Sequence, residues 1–174
     1  MVNDVIKHIV RFIFLILLQG LVLQDIELGS MAAYLNPYLY ILFLLMLPLN
    51  LPNWSLLLIG FFTGLIMDSF TDTQGMHASA CVLLAFCRPY VLKLIAPRDG
   101  YEFGTSPTLQ QMGLLWYFYY AGILVVAHHF WLFNIEVFQV SGFFNTLLKV
   151  LLSSIFTIGL IILSQYLIFK SKEK

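Results

Sequence analysis

The sequence predicts an all-α fold, a polytopic membrane helix bundle of about six transmembrane helices in one domain spanning residues 1–174. Three observations lead there. Of 174 residues, 60% are hydrophobic and only 10% charged, whereas a soluble domain carries about a quarter charged residues. Mean hydropathy is +0.89, so a water-soluble fold of this size would lack the polar surface to cover its core. Apolar runs of roughly 17 residues or more, the length that crosses a bilayer core, alternate with short polar stretches along the whole chain. The formal net charge is zero, which leaves no basic footprint for nucleic acid.

The first run, 5–23, carries Lys7, His8 and Arg11 at its start, and a polar patch with Gln24, Asp25 and Glu27 follows. The second run, 31–49, ends at a turn built from Asn50, Pro52 and Asn53. The third run is 54–70, and a loop with Asp68, Asp72 and Gly75 leads into the fourth, 77–95. The longest polar stretch, Pro97 to Gln111, precedes the fifth run, 112–133; the sixth is 143–169.

Charge distribution sets the expected orientation. With the N-terminus inside, the inner side receives Lys7, Arg11, Lys93, Arg98, Lys170, Lys172 and Lys174, and the outer loops receive Asp25, Glu27, Asp68, Asp72 and Glu136 with no Lys or Arg. The positive-inside rule therefore places both termini in the cytoplasm. The second and third runs are short and joined by a tight turn, and a re-entrant hairpin there would leave the charge pattern unchanged. Their apolar length favours full crossing.

The densest signal lies between Pro52 and Ala80, PNWSLLLIGFFTGLIMDSFTDTQGMHASA. Gly60 and Gly64 form a G-x-x-x-G pair that Asp68 continues, all within about an 80° arc of one helix face. Absent side chains let a neighbouring backbone approach, and such close packing drives helix association in lipid. On the fourth run Ala78, Cys81 and Ala85 form a matching small-residue face within about 60°. The two runs are expected to pack antiparallel.

Four ionisable residues stand out because such groups are costly in a membrane. Asp68 sits near the outer end of its helix with His77 and the Asp72 loop as candidate partners, or else caps a loop facing water. Arg88, before Pro89, is expected to snorkel from the fourth helix to lipid phosphates, the alternative being a buried pair. Lys149 stands near the outer end of the last helix, within reach of that surface. The fifth run carries aromatic belts (Trp116 to Tyr120, and Phe130 with Trp131), and its His128–His129 pair points about 100° apart, unsuited to one metal. Cys81 and Cys87 lie about 240° apart around a helix and cannot bond to each other. Asp68 and Asp72 could hold a magnesium–diphosphate, but the outer loops lack a basic phosphate clamp. Nucleophile-elbow and zinc-protease motifs are missing from the sequence. No catalytic residue, metal ligand or cofactor is expected.

In Pro52, Gly60, Gly64, Asp68, Gly75 and Ala78, and in its size and six-run layout, the chain resembles the MreD family, membrane subunits of the bacterial rod-shape machinery, or elongasome. The resemblance implies a fold similar to the substrate-binding subunits of energy-coupling-factor transporters. It also implies a non-catalytic scaffold in the cytoplasmic (inner) membrane. The implied partners are MreC and, through it, a penicillin-binding transpeptidase, a SEDS glycosyltransferase and cytoskeletal MreB. The alternative is a vitamin-type transporter's substrate-binding subunit. The first run, with Gly20 and no alanine face, counts against it; an outer polar pocket of Asp68, His77, Asn134 and Glu136 would count for it.

Overall fold

The computed structural model of the protein describes residues 2–24, 34–102, 105–137 and 143–170, and its regular structure there is entirely helical. Helix α1 (Val2–Leu18) continues into a π-helical turn at Gln19–Leu23. Then come α2 (Ile41–Leu45), α3 (Asn53–Thr71), α4 (Met76–Leu94), α5 (Leu109–Met112), α6 (Leu114–Val137) and α7 (Phe143–Lys170). Of the residues that carry the orientation argument, Asp25, Glu27, Lys172 and Lys174 lie outside the described residues, as do 31–33 at the start of the second run.

Four helical segments are long and apolar enough to cross a membrane: Val5–Leu23, α3, α6 and Phe143–Leu167 within α7. This is a membrane protein. Helix α4 has the same 19 residues as α3 but carries Arg88 and Lys93 and runs unbroken through Pro89. It packs between α3 and α6, and α6 packs in turn on α7. Arg88 is thereby shielded from lipid by neighbouring elements, while Lys93 in the last turn is exposed.

The second run is where structure and sequence expectation part. Within the described part of this run, 34–49, only Ile41–Leu45 is helical. The reason is local. Proline lacks an N–H and disfavours helical geometry in the residue before it, and Pro37 and Pro48 bracket the segment, which confines any helix to the stretch 38–47 between them. The segment is also the centre of the molecule. Tyr40, Ile41, Leu44 and Leu45 have no exposed surface. It begins beside the first turn of α4, where Tyr40 meets His77, and ends beside Arg88 of the same helix. It therefore travels along α4.

Non-helical backbone at membrane depth is tolerated only where protein groups satisfy it, and each neighbour supplies one. The π-turn of α1 turns Gln19 inward, where its amide donates to Pro37 O at 2.9 Å and accepts from Leu39 N at 2.7 Å. From α7, Ser153 Oγ accepts from Asn36 N at 3.0 Å and donates to Tyr34 O at 3.0 Å, and Thr157 Oγ1 accepts from Tyr38 N at 3.2 Å. At the far end Tyr120 of α6 donates to Leu45 O at 2.9 Å, and Arg88 donates to Leu47 O and Pro48 O.

Helices α3 and α4 meet through the small residues named above. A methyl group on Gly64 would lie 2.6 Å from Ala78 N, and one on Gly60 would lie 3.0 Å from Cys81 O and 3.1 Å from Ala85 Cβ. Gly64 thus abuts rigid backbone. Gly60 has slightly more room. Gly64→Ala is expected to destabilise the fold by roughly 1–3 kcal/mol and Gly60→Ala by less. Gly122→Ala, at an open helical position, is expected to be neutral or stabilising by up to about 1 kcal/mol. Thermal unfolding in detergent would check this order; an unchanged Gly64→Ala would remove the close contact from the account.

Candidate functional site

Three polar centres lie along α4, the first built by α3 and the other two by the broken segment together with α6. At its start, Gly75 takes the N-cap position with φ +82° and offers no capping side chain. The orphan N–H groups of a first turn need acceptors, and α3 provides them. Asp68 Oδ1 accepts from His77 N at 2.9 Å and from Thr73 Oγ1 at 2.6 Å, while Oδ2 accepts from Ala78 N at 3.0 Å. The carboxylate is 4% exposed and acts as a cap donated by a neighbouring helix. Its charge also faces the positive end of the α4 dipole. The expected pairing with His77 is present, but through that residue's backbone, not its ring.

The His77 ring turns inward to the second centre. Tyr40 OH lies 2.9 Å from His77 Nδ1 and 2.9 Å from His128 Nε2, and Cys81 Sγ donates to it at 3.6 Å. Next to these, His129 bonds Val125 O at 2.9 Å and Thr157 Oγ1 at 3.2 Å, and Tyr38 packs its ring against all three histidines. Tyr40, His128 and His129 have no exposed surface. A tyrosine hydroxyl occupies the point where the donors of the cluster converge. Among the described residues no three His, Cys, Asp or Glu side chains stand in an arrangement that could hold a metal ion.

The third centre is Arg88, and here the snorkelling expectation is overturned. Its side chain is 1% exposed and reaches inward, away from lipid. Nε donates to Tyr120 OH at 2.6 Å, and the two Nη atoms donate to Leu47 O and Pro48 O. Carbonyls at the frayed end of α2 carry partial negative charge, so they receive the guanidinium where lipid phosphate was expected to. A planar group with several fixed donors suits two adjacent carbonyls and a hydroxyl together; a lysine would reach only part of that set.

The remaining candidates separate. Lys149 is 17% exposed, donates to Glu136 Oε2 at 3.0 Å and stands 4.4 Å from the centre of the Phe133 ring. It ties α7 to α6. Asn134 donates to Phe130 O of its own helix at 2.7 Å and does not line the cleft that His77 and Glu136 share. Asp72 caps the end of α3 with φ +54°, exposed, its backbone N–H donating to the Asp68 carbonyl. His77 and Glu136 do line one polar cleft of about 560 Å³ beside the start of α4, together with Asn36 and Tyr38. Sequence reasoning missed Gln19, Tyr40, Ser153, Thr157 and Tyr120. Their signal was available in part: on apolar α7, Thr146, Ser153, Thr157 and Gln165 recur at near-helical spacing and are buried.

Two sets of substitutions follow from this geometry. Asp68→Ala strands two helix N–H groups in a buried site and is expected to cost about 1–3 kcal/mol, with Asp68→Asn recovering part. Asp72→Gly is expected to be silent, while Asp72→Ala costs about 1 kcal/mol because alanine resists a left-handed backbone. Arg88→Ala leaves the carbonyls of the broken segment unpaired and is expected to cost roughly 3 kcal/mol or more, against about 1 kcal/mol for Tyr120→Phe. Chemical or thermal denaturation of the detergent-solubilised variants reads both sets. Equal losses at Asp68→Ala and Asp72→Gly would point away from a capping role.

No family model matches the chain, and no curated protein or solved structure matches it.

Proposed function

We propose that the chain is a non-catalytic membrane scaffold of the MreD kind. It lies in the bacterial cytoplasmic membrane with both termini in the cytoplasm, and it associates with MreC and, through MreC, with wall-synthesis enzymes of the elongation machinery. The observation that carries this reading is the convergence of the resemblance motif on one joint. Gly60 and Gly64 admit the α4 backbone, Gly75 turns the chain, Ala78 seats against Gly64, and both oxygens of Asp68 are engaged in capping α4. A motif engaged in this way serves shape and leaves no free group for chemistry.

In this reading the broken 34–50 segment and α4 join the four apolar helices as crossings, six in all, an even number that returns the C-terminus to the side of the N-terminus. Helix α1 supports a scaffold as well. Val5, Ile9, Val10, Ile13 and Phe14 are each at least half exposed, a face that lipid or a partner's helix can cover.

Crosslinking in native membranes, affinity purification and mass spectrometry of the partners tests the proposal. Recovery of MreC and peptidoglycan synthases is the expected outcome. Recovery of a transporter ATPase pair instead would discard the scaffold in favour of a substrate-binding transporter subunit.

A further inference from the structure

The cleft beside the start of α4 has the volume of small-molecule sites, which run from about 300 to 1,000 Å³. Part of its polar lining is engaged within the protein: Gln19 holds the broken segment, and Thr71 and Thr73 bond each other at 2.6 Å while Thr73 also donates to Asp68. Among the described residues the Tyr38 hydroxyl, the Asn36 side-chain amide, Gln24 Oε1, Glu136 Oε1 and His77 Nε2 have no hydrogen-bond partner. Two of these stand out: Glu136 carries the charge, and His77 is only 2% exposed.

The proton on His77 Nε2 can be placed by counting donors. Tyr40 OH has one proton and lies between two ring nitrogens, so it donates to one and accepts from the other. His128 Nδ1 is buried with no partner. An orphaned buried N–H is rarer than an unused acceptor, so Nδ1 is bare and His128 Nε2 carries the hydrogen that Tyr40 accepts. Tyr40 then donates to His77 Nδ1, and His77 Nε2–H is left as a donor facing the cleft.

Charge limits what can enter. Asp68 lies behind the wall, Asp72 on the adjoining turn and Glu136 on the lining; Lys149 neutralises one Glu136 oxygen from outside. The cleft is acidic.

We propose that this cleft binds a small amine-bearing organic molecule. A carbonyl or hydroxyl oxygen of the ligand accepts from His77 Nε2–H, and its ammonium docks on the free Glu136 oxygen. The site stands independently of the scaffold reading, because it needs only the cleft with His77 Nε2–H and the Glu136 oxygen that Lys149 leaves open.

Isothermal titration of the full chain in lipid nanodiscs tests it with three matched probes: phenylalaninamide, neutral N-acetylphenylalaninamide and anionic N-acetylphenylalanine. Phenylalaninamide is expected to bind at least about tenfold tighter than the anion, the scale of one charge-assisted hydrogen bond. Glu136→Gln should abolish that preference, and Lys149→Met should strengthen it by freeing the carboxylate. His77→Phe should weaken both amides. Thermal unfolding of each variant separates loss of binding from loss of fold. An anion that binds as well as the amine, a preference unchanged in Glu136→Gln, or no saturable binding by any probe would overturn the proposal.

Discussion

The structure depends on keeping an irregular stretch of backbone inside a membrane protein. Between Tyr34 and Asn50 the chain abandons helical hydrogen bonding except at α2, and in lipid every peptide group so released must find a protein partner. Gln19, Ser153, Thr157, Tyr120 and Arg88 come from four different helices, and each engages peptide groups of that stretch. The π-turn at the end of α1 belongs to the same solution, since it sets Gln19 facing inward. The helices are thus arranged around the segment. Their polar residues are placed by its needs and interrupt otherwise apolar surfaces for that reason.

The same principle governs the α3–α4 joint. Glycine at position 75 turns the chain but leaves the first turn of α4 uncapped, and a carboxylate nine residues before His77 completes it from across the interface. Close approach at Gly64 makes the reach possible. Packing and capping are therefore coupled: moving α4 outward to accommodate a side chain at position 64 would also lengthen the bonds to Asp68. Burying a carboxylate and a guanidinium within one bundle without pairing them to each other is affordable because each meets several backbone groups of opposite polarity.

These arrangements bear on function by elimination within the interior. The acid, the buried arginine and most of the histidine–tyrosine cluster are engaged in holding the fold. Among the described residues two regions serve the interactions proposed above: the lateral apolar faces, with α1 the most open, and the cleft at the start of α4. A scaffold uses the first, and ligand recognition uses the second. The two are compatible, since the cleft lies among loops and helix ends while the exposed face of α1 runs along the bundle.

The sequence by itself determined the membrane class, the all-helical composition, four of the long spans and the α3–α4 contact. Those properties are local or nearly so: hydropathy over one helix length, small residues at four-residue spacing, and an acid at the end of such a stripe can be read without knowing what lies opposite. Pro37 and Pro48 were legible too, yet apolar length outweighed them, and the second run was expected as a continuous helix. Only the tertiary structure decided that this run is broken and buried, that Arg88 turns inward, and that Tyr40 joins His77 to His128. Tyr40 is 37 residues from His77 and 88 from His128, and no periodicity in one segment reports a hydrogen bond to another. An arginine in a membrane helix must reach polar groups, but whether those are lipid phosphates or carbonyls of a broken strand of chain depends on which element packs beside it.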